Sequence, residues 1–310
     1  MKALLARAYG PLDRLEIAEV PRPEPGPGQV LVRVEAAALN PVDTALITGA
    51  MRDELPVTHP FVPGVDVSGI VEAVGPGVDR FRPGEAVIAW NGVPSGGFAE
   101  YALVRADDSA AARPAALDAR HGAALPTGSL TAAALLDEAK PGPGATVLVV
   151  GATGGLGSYA VQLAKLAGAT VIATGRDGDR GYLESLGADG VIDYRTEDIA
   201  QRVQDWAPGG ADVVIDLAQA GPALAASAAA AKPGGLVASP LGGPAAFDRD
   251  VRAVYTGTTT PPGRLAELAA LAAAGTLRTE IGAEYPFPQA RQALLDFPAR
   301  HVRGKVVITF

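Results

Sequence analysis

Apolar residues recur along this chain in two rhythms. Over the first 115 or so residues the period is two. Gln29-Val-Leu-Val-Arg-Val-Glu-Ala alternates apolar and polar positions, which predicts a half-buried strand. Residues 67–74 form a second such run, closed by Gly75-Pro76-Gly77. Residues 86–90 form a third, entered through the turn Arg82-Pro83-Gly84-Glu85. Strands this closely spaced, separated by Gly and Pro, predict a β-rich, barrel-like unit. From about Leu117 the pattern changes. Helical stretches alternate with short apolar runs at 147–150, 171–174, 190–193, 212–216, 236–239 and 251–255. Helices are expected between them, for example over 181–186 and 199–206. Apolar runs of this kind suit strands covered on both faces, so the alternation predicts a parallel sheet between two layers of helix. The Ala-rich stretch 223–231 reads as a packed helix, because Ala is the best helix former. A helix near 289–295 and a closing strand over 305–309 end the chain, and that strand is expected to return to the first unit.

One junction carries chemistry. Thr146-Val-Leu-Val-Val-Gly151-Ala-Thr153-Gly154-Gly155-Leu156-Gly157 reads as buried strand, glycine turn and helix start. Gly154 lets a pyrophosphate approach the backbone, and Gly157 lets the helix pack tightly on the strand. The helix N-terminus offers free N–H groups and a partial positive charge to phosphates. Ala152 stands where the usual first glycine of such a turn would be. A second strand, 170–174, follows about twenty residues on, as a dinucleotide site requires. The other reading is a tight strand-to-helix connection with no ligand.

Composition narrows the class. At 310 residues the chain suits two domains. It is 48% hydrophobic and 19% charged, which marks it as globular. A formal net charge of −8 argues against nucleic acid and anionic membrane as main partners. With no cysteine there is no disulfide, thiolate zinc site or cysteine nucleophile, and the composition fits the cytosol. The apolar stretch at the N-terminus is too short for a signal peptide. The longest uncharged run, between Lys140 and Lys165, is too rich in Gly and Pro for a membrane span. The three histidines, His59, His121 and His301, form no metal-ligand pair.

Several motifs in order resemble the medium-chain dehydrogenase/reductase superfamily. They are Pro63-Gly-Val-Asp66-Val-Ser-Gly69-Ile-Val-Glu72-Ala-Val-Gly75, Phe81-Arg-Pro-Gly84-Glu-Ala-Val87, Gly97-Phe-Ala-Glu-Tyr101, the turn 151–157, and the terminal Gly304-Lys-Val-Val-Ile. Asn40-Pro-Val-Asp43 and Leu125-Pro-Thr127-Gly128-Ser-Leu-Thr-Ala resemble its zinc-free quinone oxidoreductase, or zeta-crystallin-like, branch. The resemblance implies an α/β chain: a GroES-like β-barrel catalytic domain over 1–117 and 276–310, and a Rossmann doubly wound parallel sheet over 118–275. It implies a homodimer, and an acceptor bound in a cleft between the domains. Asn40 and Val65 stand at positions where zinc-dependent relatives carry Cys and His, so no metal is expected.

The implied cofactor is NADPH. An NAD site places Asp or Glu at the end of the second strand, whereas this chain reads Gly175-Arg176, and a guanidinium suits a 2′-phosphate. Asp177 is a competitor for the 2′-OH. The resemblance adds Tyr194 near the adenosine phosphate, Thr127 at the nicotinamide, and Gly242, Gly243, Tyr255 and Thr256 along the cofactor edge. With Gly151, Thr153, Gly154, Gly155, Leu156 and Gly157 these make up the expected cofactor set. The expected chemistry is hydride transfer to a quinone or enone, with Asn40 donating to the developing oxyanion. Asp43 would orient the nicotinamide ribose or Asn40, or be a solvated turn residue. Two other functions fit the same residues: an enoyl-thioester reductase, and an NADPH-binding structural or sensing protein with little turnover.

Overall fold

A computed structural model describes residues 1–93, 96–297 and 301–310. The chain folds as two units, residues 1–127 with 260–310, and residues 128–259.

In the first unit, β1 (Lys2–Leu5) pairs antiparallel with β2 (Glu16–Glu19). The predicted strand at Gln29 becomes β3 (Gln29–Ala38), and the run after Pro63 becomes β4 (Asp66–Val74). Between them lies α1 (Pro41–Thr48), which ends at Gly49 in the left-handed region, φ 79°. Then come β5 (Ala86–Trp90), β6 (Tyr101–Arg105), β7 (Ala110–Ala112) and the short α2 (Ala119–Ala124). Leu4, Val32, Val67, Phe98 and Ile308 lie in one buried apolar core. Ala123 and Ala124 of α2 pack on Ala36, Ala38 and Val307, where only small side chains fit between helix and sheet.

Helix α3 (Pro126–Ala139) leads into the second unit. The predicted runs become β8 (Thr146–Val150), β9 (Thr170–Gly175), β10 (Gly190–Asp193), β11 (Ala211–Asp216), β12 (Ala231–Ser239) and β13 (Arg252–Tyr255). All pair in parallel, in the order β10-β9-β8-β11-β12-β13. This is the doubly wound order, which leaves a crevice at the C-terminal ends of β8 and β11 where the order reverses. The crossovers carry α4 (Gly157–Leu166), α5 (Arg180–Ser185), α6 (Ile199–Trp206) and α7 (Leu224–Ala228). The Ala-rich stretch differs from its expectation. It is helical only to Ala228, and Ala231 already belongs to β12.

The chain then returns to the first unit through α8 (Arg264–Ala273), β14 (Ile281–Pro286), α9 (Ala290–Asp296) and β15 (Lys305–Thr309). As expected, the closing strand rejoins that unit, pairing antiparallel with β3. The sheet there runs β14-β15-β3-β4-β5-β7, with β6 also on β3. Among the described residues no helix is long and apolar enough to cross a membrane.

Candidate functional site

The second unit presents a glycine turn at a helix start whose charge suits an anion. β8 ends at the glycine turn, where Gly151 takes φ 80° and its N–H donates to Thr174 Oγ1 at 3.1 Å. A Cβ at Gly157 would lie 2.2 Å from the Gly151 carbonyl oxygen, so only glycine lets α4 start this close to the strand. Ser158 and Ala160 N–H groups bond back to Gly154 and Leu156. The N–H groups of Gly155, Leu156 and Gly157 have no partner among the described residues. Three unpartnered donors at a helix N-terminus fit the charge and geometry of a nucleotide's phosphates. Thr153, in the same turn, is buried.

At the neighbouring strand end, Gly175 is buried and Arg176 is half-buried. Arg176 Nε donates to Tyr194 Oη at 3.2 Å, while its two terminal nitrogens have no partner among the described residues. Tyr194 is 44% exposed, so the pair faces solvent. The carboxylates here are disposed differently. Asp177 is exposed, whereas Asp179 is buried and its Oδ2 accepts from the Arg176 N–H at 3.0 Å. The strand end therefore offers a cationic fork, with one acid turned inward.

The residues after β12 and β13 are more engaged with one another. A Cβ at Gly243 would sit 2.5 Å from Leu224 Cδ1 and 2.8 Å from Tyr255 Oη. Tyr255 Oη donates to the Pro244 carbonyl at 2.6 Å, and burial raises its pKa. Gly242 accepts from the Gly221 N–H, and the Thr256 N–H donates to the Ser239 carbonyl.

In the first unit, Asn40 and Asp43 flank the start of α1, and both are buried. Asp43 Oδ2 accepts from the Asn40 N–H at 2.9 Å, and its Oδ1 accepts from the Gly64 and Val65 N–H groups at 3.0 and 3.1 Å. It thus ties the helix start to the loop before β4. Burial pushes its carboxyl up to about 7, against the hydrogen bond from Asn40, and the nearby Asp66 adds to the rise. The Asn40 amide is engaged on every side. Nδ2 donates to Asp66 Oδ2 at 2.9 Å and to the Ala38 carbonyl at 3.3 Å, and Oδ1 accepts from Lys305 Nζ at 2.5 Å. Lys305 also lies 3.4 Å from Asp66 Oδ2. Asp66 Oδ1 takes the N–H of Thr127 at 3.0 Å and its hydroxyl at 2.6 Å.

Sequence reasoning missed Asp66 and Lys305. Both lie inside the motifs that carry the family resemblance, 63–75 and 304–308. The signal was there: Asp66 stands between Val65 and Val67, and Lys305 precedes Val306-Val307-Ile308. A charge at the edge of a buried strand needs a buried partner.

This cluster does not fit a zinc ion. Asn40 Oδ1 and Asp66 Oδ2 both face the Lys305 ammonium, and Val65 offers no donor atom. Thiolate or imidazole ligands would be needed, and a cation already takes these oxygens. Among the described residues no three His, Cys, Asp or Glu side chains are grouped to hold a metal.

Residues 26–114 match the alcohol dehydrogenase GroES-like domain family, and residues 186–308 match the zinc-binding dehydrogenase family. A chloroplastic quinone-oxidoreductase, QR1, of Triphysaria versicolor is 42% identical over 189 residues, 59% of this chain and 57% of that protein. The match therefore spans little more than half of that relative's length. A solved quinone oxidoreductase from Coxiella burnetii is 30% identical, with a TM-score of 0.89 covering 100% of this chain and 99% of its own. A structure described as an NAD-dependent alcohol dehydrogenase is 31% identical at a TM-score of 0.89, with 100% of both chains covered. Mycobacterial Rv1454c complexed with NADPH is 29% identical at a TM-score of 0.89, again over 100% of both chains.

Proposed function

Because the chain belongs to the medium-chain dehydrogenase/reductase superfamily, in its zinc-free quinone oxidoreductase branch, we propose that it is an NADPH-dependent oxidoreductase acting on a quinone or another α,β-unsaturated carbonyl. The strand end at Arg176 carries this reading. The two terminal nitrogens of its guanidinium have no partner among the described residues, and the buried carboxylate beside it accepts from backbone. That arrangement suits a 2′-phosphate better than a 2′-hydroxyl, because a planar fork donates two parallel hydrogen bonds to phosphate oxygens.

When bound, the nicotinamide supplies a hydride from its C4. The N–H groups of Gly155, Leu156 and Gly157 hold the pyrophosphate, with Gly151, Thr153 and Gly154 shaping the turn. Arg176 and Tyr194 hold the adenosine phosphate. Gly242, Gly243, Tyr255 and Thr256 are assigned to the cofactor edge as a packed loop. Thr127 and Asn40 belong to the reacting end, where Asn40 meets the negative charge that develops on the acceptor oxygen. Asp43 fixes the backbone from which Asn40 projects.

A second reading, an NADPH-binding protein with little turnover, is favoured by one observation: both Asn40 amide hydrogens are engaged within the protein. One assay separates the two. NADPH oxidation at 340 nm is followed with simple quinones and enones, and NADPH binding is measured in parallel by fluorescence. Acceptor-dependent oxidation supports the reductase. Saturable binding without oxidation by any acceptor supports the second reading.

A further inference from the structure

The group at the centre of the first unit's polar cluster is a lysine that the site as described above does not use. Lys305 opens β15 and is 5% exposed; Asp66 opens β4 and is fully buried. Taking a lone ammonium or carboxylate out of water is costly, so each requires the other. Here the pair does more than neutralise itself. The ammonium has no acceptor lone pair, so the Asn40 atom 2.5 Å from it must be the oxygen. The carboxylate has no hydrogen to give, so the Asn40 atom 2.9 Å from Asp66 Oδ2 must be the NH2. The same carboxylate, through its other oxygen, takes the hydroxyl hydrogen of Thr127 at 2.6 Å. Thr127 Oγ1 is left with lone pairs only, and so acts outward as an acceptor.

We infer that the buried Lys305–Asp66 pair is the positioning element of the hydride-transfer site: it locks the Asn40 amide and the Thr127 hydroxyl into one donor–acceptor arrangement. This rests on the reductase reading above. A neutral pair of residues would fill the space, but the amide would be free to turn over and the hydroxyl to rotate. The ammonium also polarises the amide through its oxygen, which strengthens the remaining N–H donors. The longest of the Asn40 contacts, 3.3 Å to the Ala38 carbonyl, is the weakest, and its hydrogen is the one an acceptor oxygen can share without the amide turning.

The test uses the full chain with Lys305→Met, Asp66→Asn and the double variant. Melting, NADPH affinity, and kcat and KM with a simple quinone are read for each. Either single variant leaves one buried charge unpaired and should lose stability. The double variant removes both charges and should regain most of it. Its kcat should nonetheless stay at least about tenfold below wild type, while NADPH affinity changes by less than about threefold, since the phosphate-binding residues are untouched. A double variant with regained stability and wild-type kcat would show that the pair only holds the fold, and would overturn the inference. A second readout needs no variant. The Asn40 side-chain amide hydrogens in the wild type should exchange far more slowly than those of an exposed Asn. Exchange at the free-amide rate would also overturn it. If the wild type reduces no acceptor at all, the functional reading fails instead, and the exchange measurement still decides whether the amide is locked.

Discussion

Two residues of the proposed site make sharply different demands on solvent. Arg176 is half-buried, with its fork open on the terminal nitrogens. A charge-assisted hydrogen bond contributes roughly 1.5–3 kcal/mol, and each 1.4 kcal/mol or so is tenfold in affinity. Arg176→Ala should therefore weaken NADPH binding about ten- to a hundred-fold and leave NADH binding almost unchanged. Titration of each cofactor against both proteins checks this. Salt should weaken NADPH binding more than NADH binding, because the extra contact is ionic and solvent-facing. Equal affinity of the wild type for both cofactors would assign the ribose to Asp177 instead. Asp43 makes the opposite demand. Burial pushes its carboxyl up to about 7 from 3.8, so between these values the folded protein holds a proton that the unfolded chain has lost. The stability this carries is fully present below the unfolded value and is lost as pH rises through the folded one. Asp189 and Asp212, which partial burial alone would raise, are held below the usual range by Lys165 and Lys232. Their contribution is lost only at lower pH, as it falls through their folded values, so the two effects occupy separate windows. Denaturant unfolding at a series of pH values should show stability falling from about pH 4 to about pH 7. Asp43→Asn should be less stable throughout and flatter across that interval. An unchanged slope in the variant would remove Asp43 as its source.

At the scale of elements, the glycine turn is where local sequence and tertiary packing agree. The contact between Gly157 and the Gly151 carbonyl admits no methyl group, because the obstructing atom is backbone. Gly157→Ala should push α4 away from β8 and destabilise the protein by about 1–3 kcal/mol, as overpacked sites do. NADPH affinity should fall with it, since the N–H groups of Gly155, Leu156 and Gly157 move with the helix; melting and cofactor titration read both. Retained affinity would mean that the helix start does not hold phosphate. The strands of this unit were legible because β8 to β11 are short, apolar and bounded by turns. The apolar run predicts β12 from residue 236, yet the strand begins at Ala231. Pro233, Gly234 and Gly235 interrupt its apolar run, and the pairing with β11 shifts register there. The same early start cuts short the helix expected over 223–231, because helix propensity loses to the parallel pairing of Ala231 with Ala211. β14 escaped notice because half-buried positions alternate with exposed ones along it, so no apolar run marks it. The glycine turn was legible because its signal is local. The Lys305–Asp66 pair was not, because its members are 239 positions apart and only the pairing of β15 and β4 with β3 brings them together.

For the whole molecule, the parallel sheet poses a problem of edges. Its order leaves β10 at one side and β13 at the other, each with one row of backbone groups that no strand among the described residues pairs. Such an edge pairs with whatever strand is offered unless it is covered or charged. β13 is four residues long, with Arg252 exposed and Ala253, Val254 and Tyr255 half-buried, and a single bridge from Ala246 to Arg252 touches its start. Half-buried apolar side chains on an edge that no described strand pairs along its length suit a symmetric partner, because a two-fold axis lets one strand meet its own copy. We therefore expect a homodimer joined along β13. Sedimentation equilibrium at micromolar concentration should give twice the 31.3 kDa mass of the chain. Backbone amides of β13 should exchange more slowly as concentration rises, while those of β8, at the centre of the sheet, should not change. Sedimentation as a monomer throughout would refute the dimer. A dimer whose β13 amides show no dependence on concentration would keep the oligomer but move its interface to another surface.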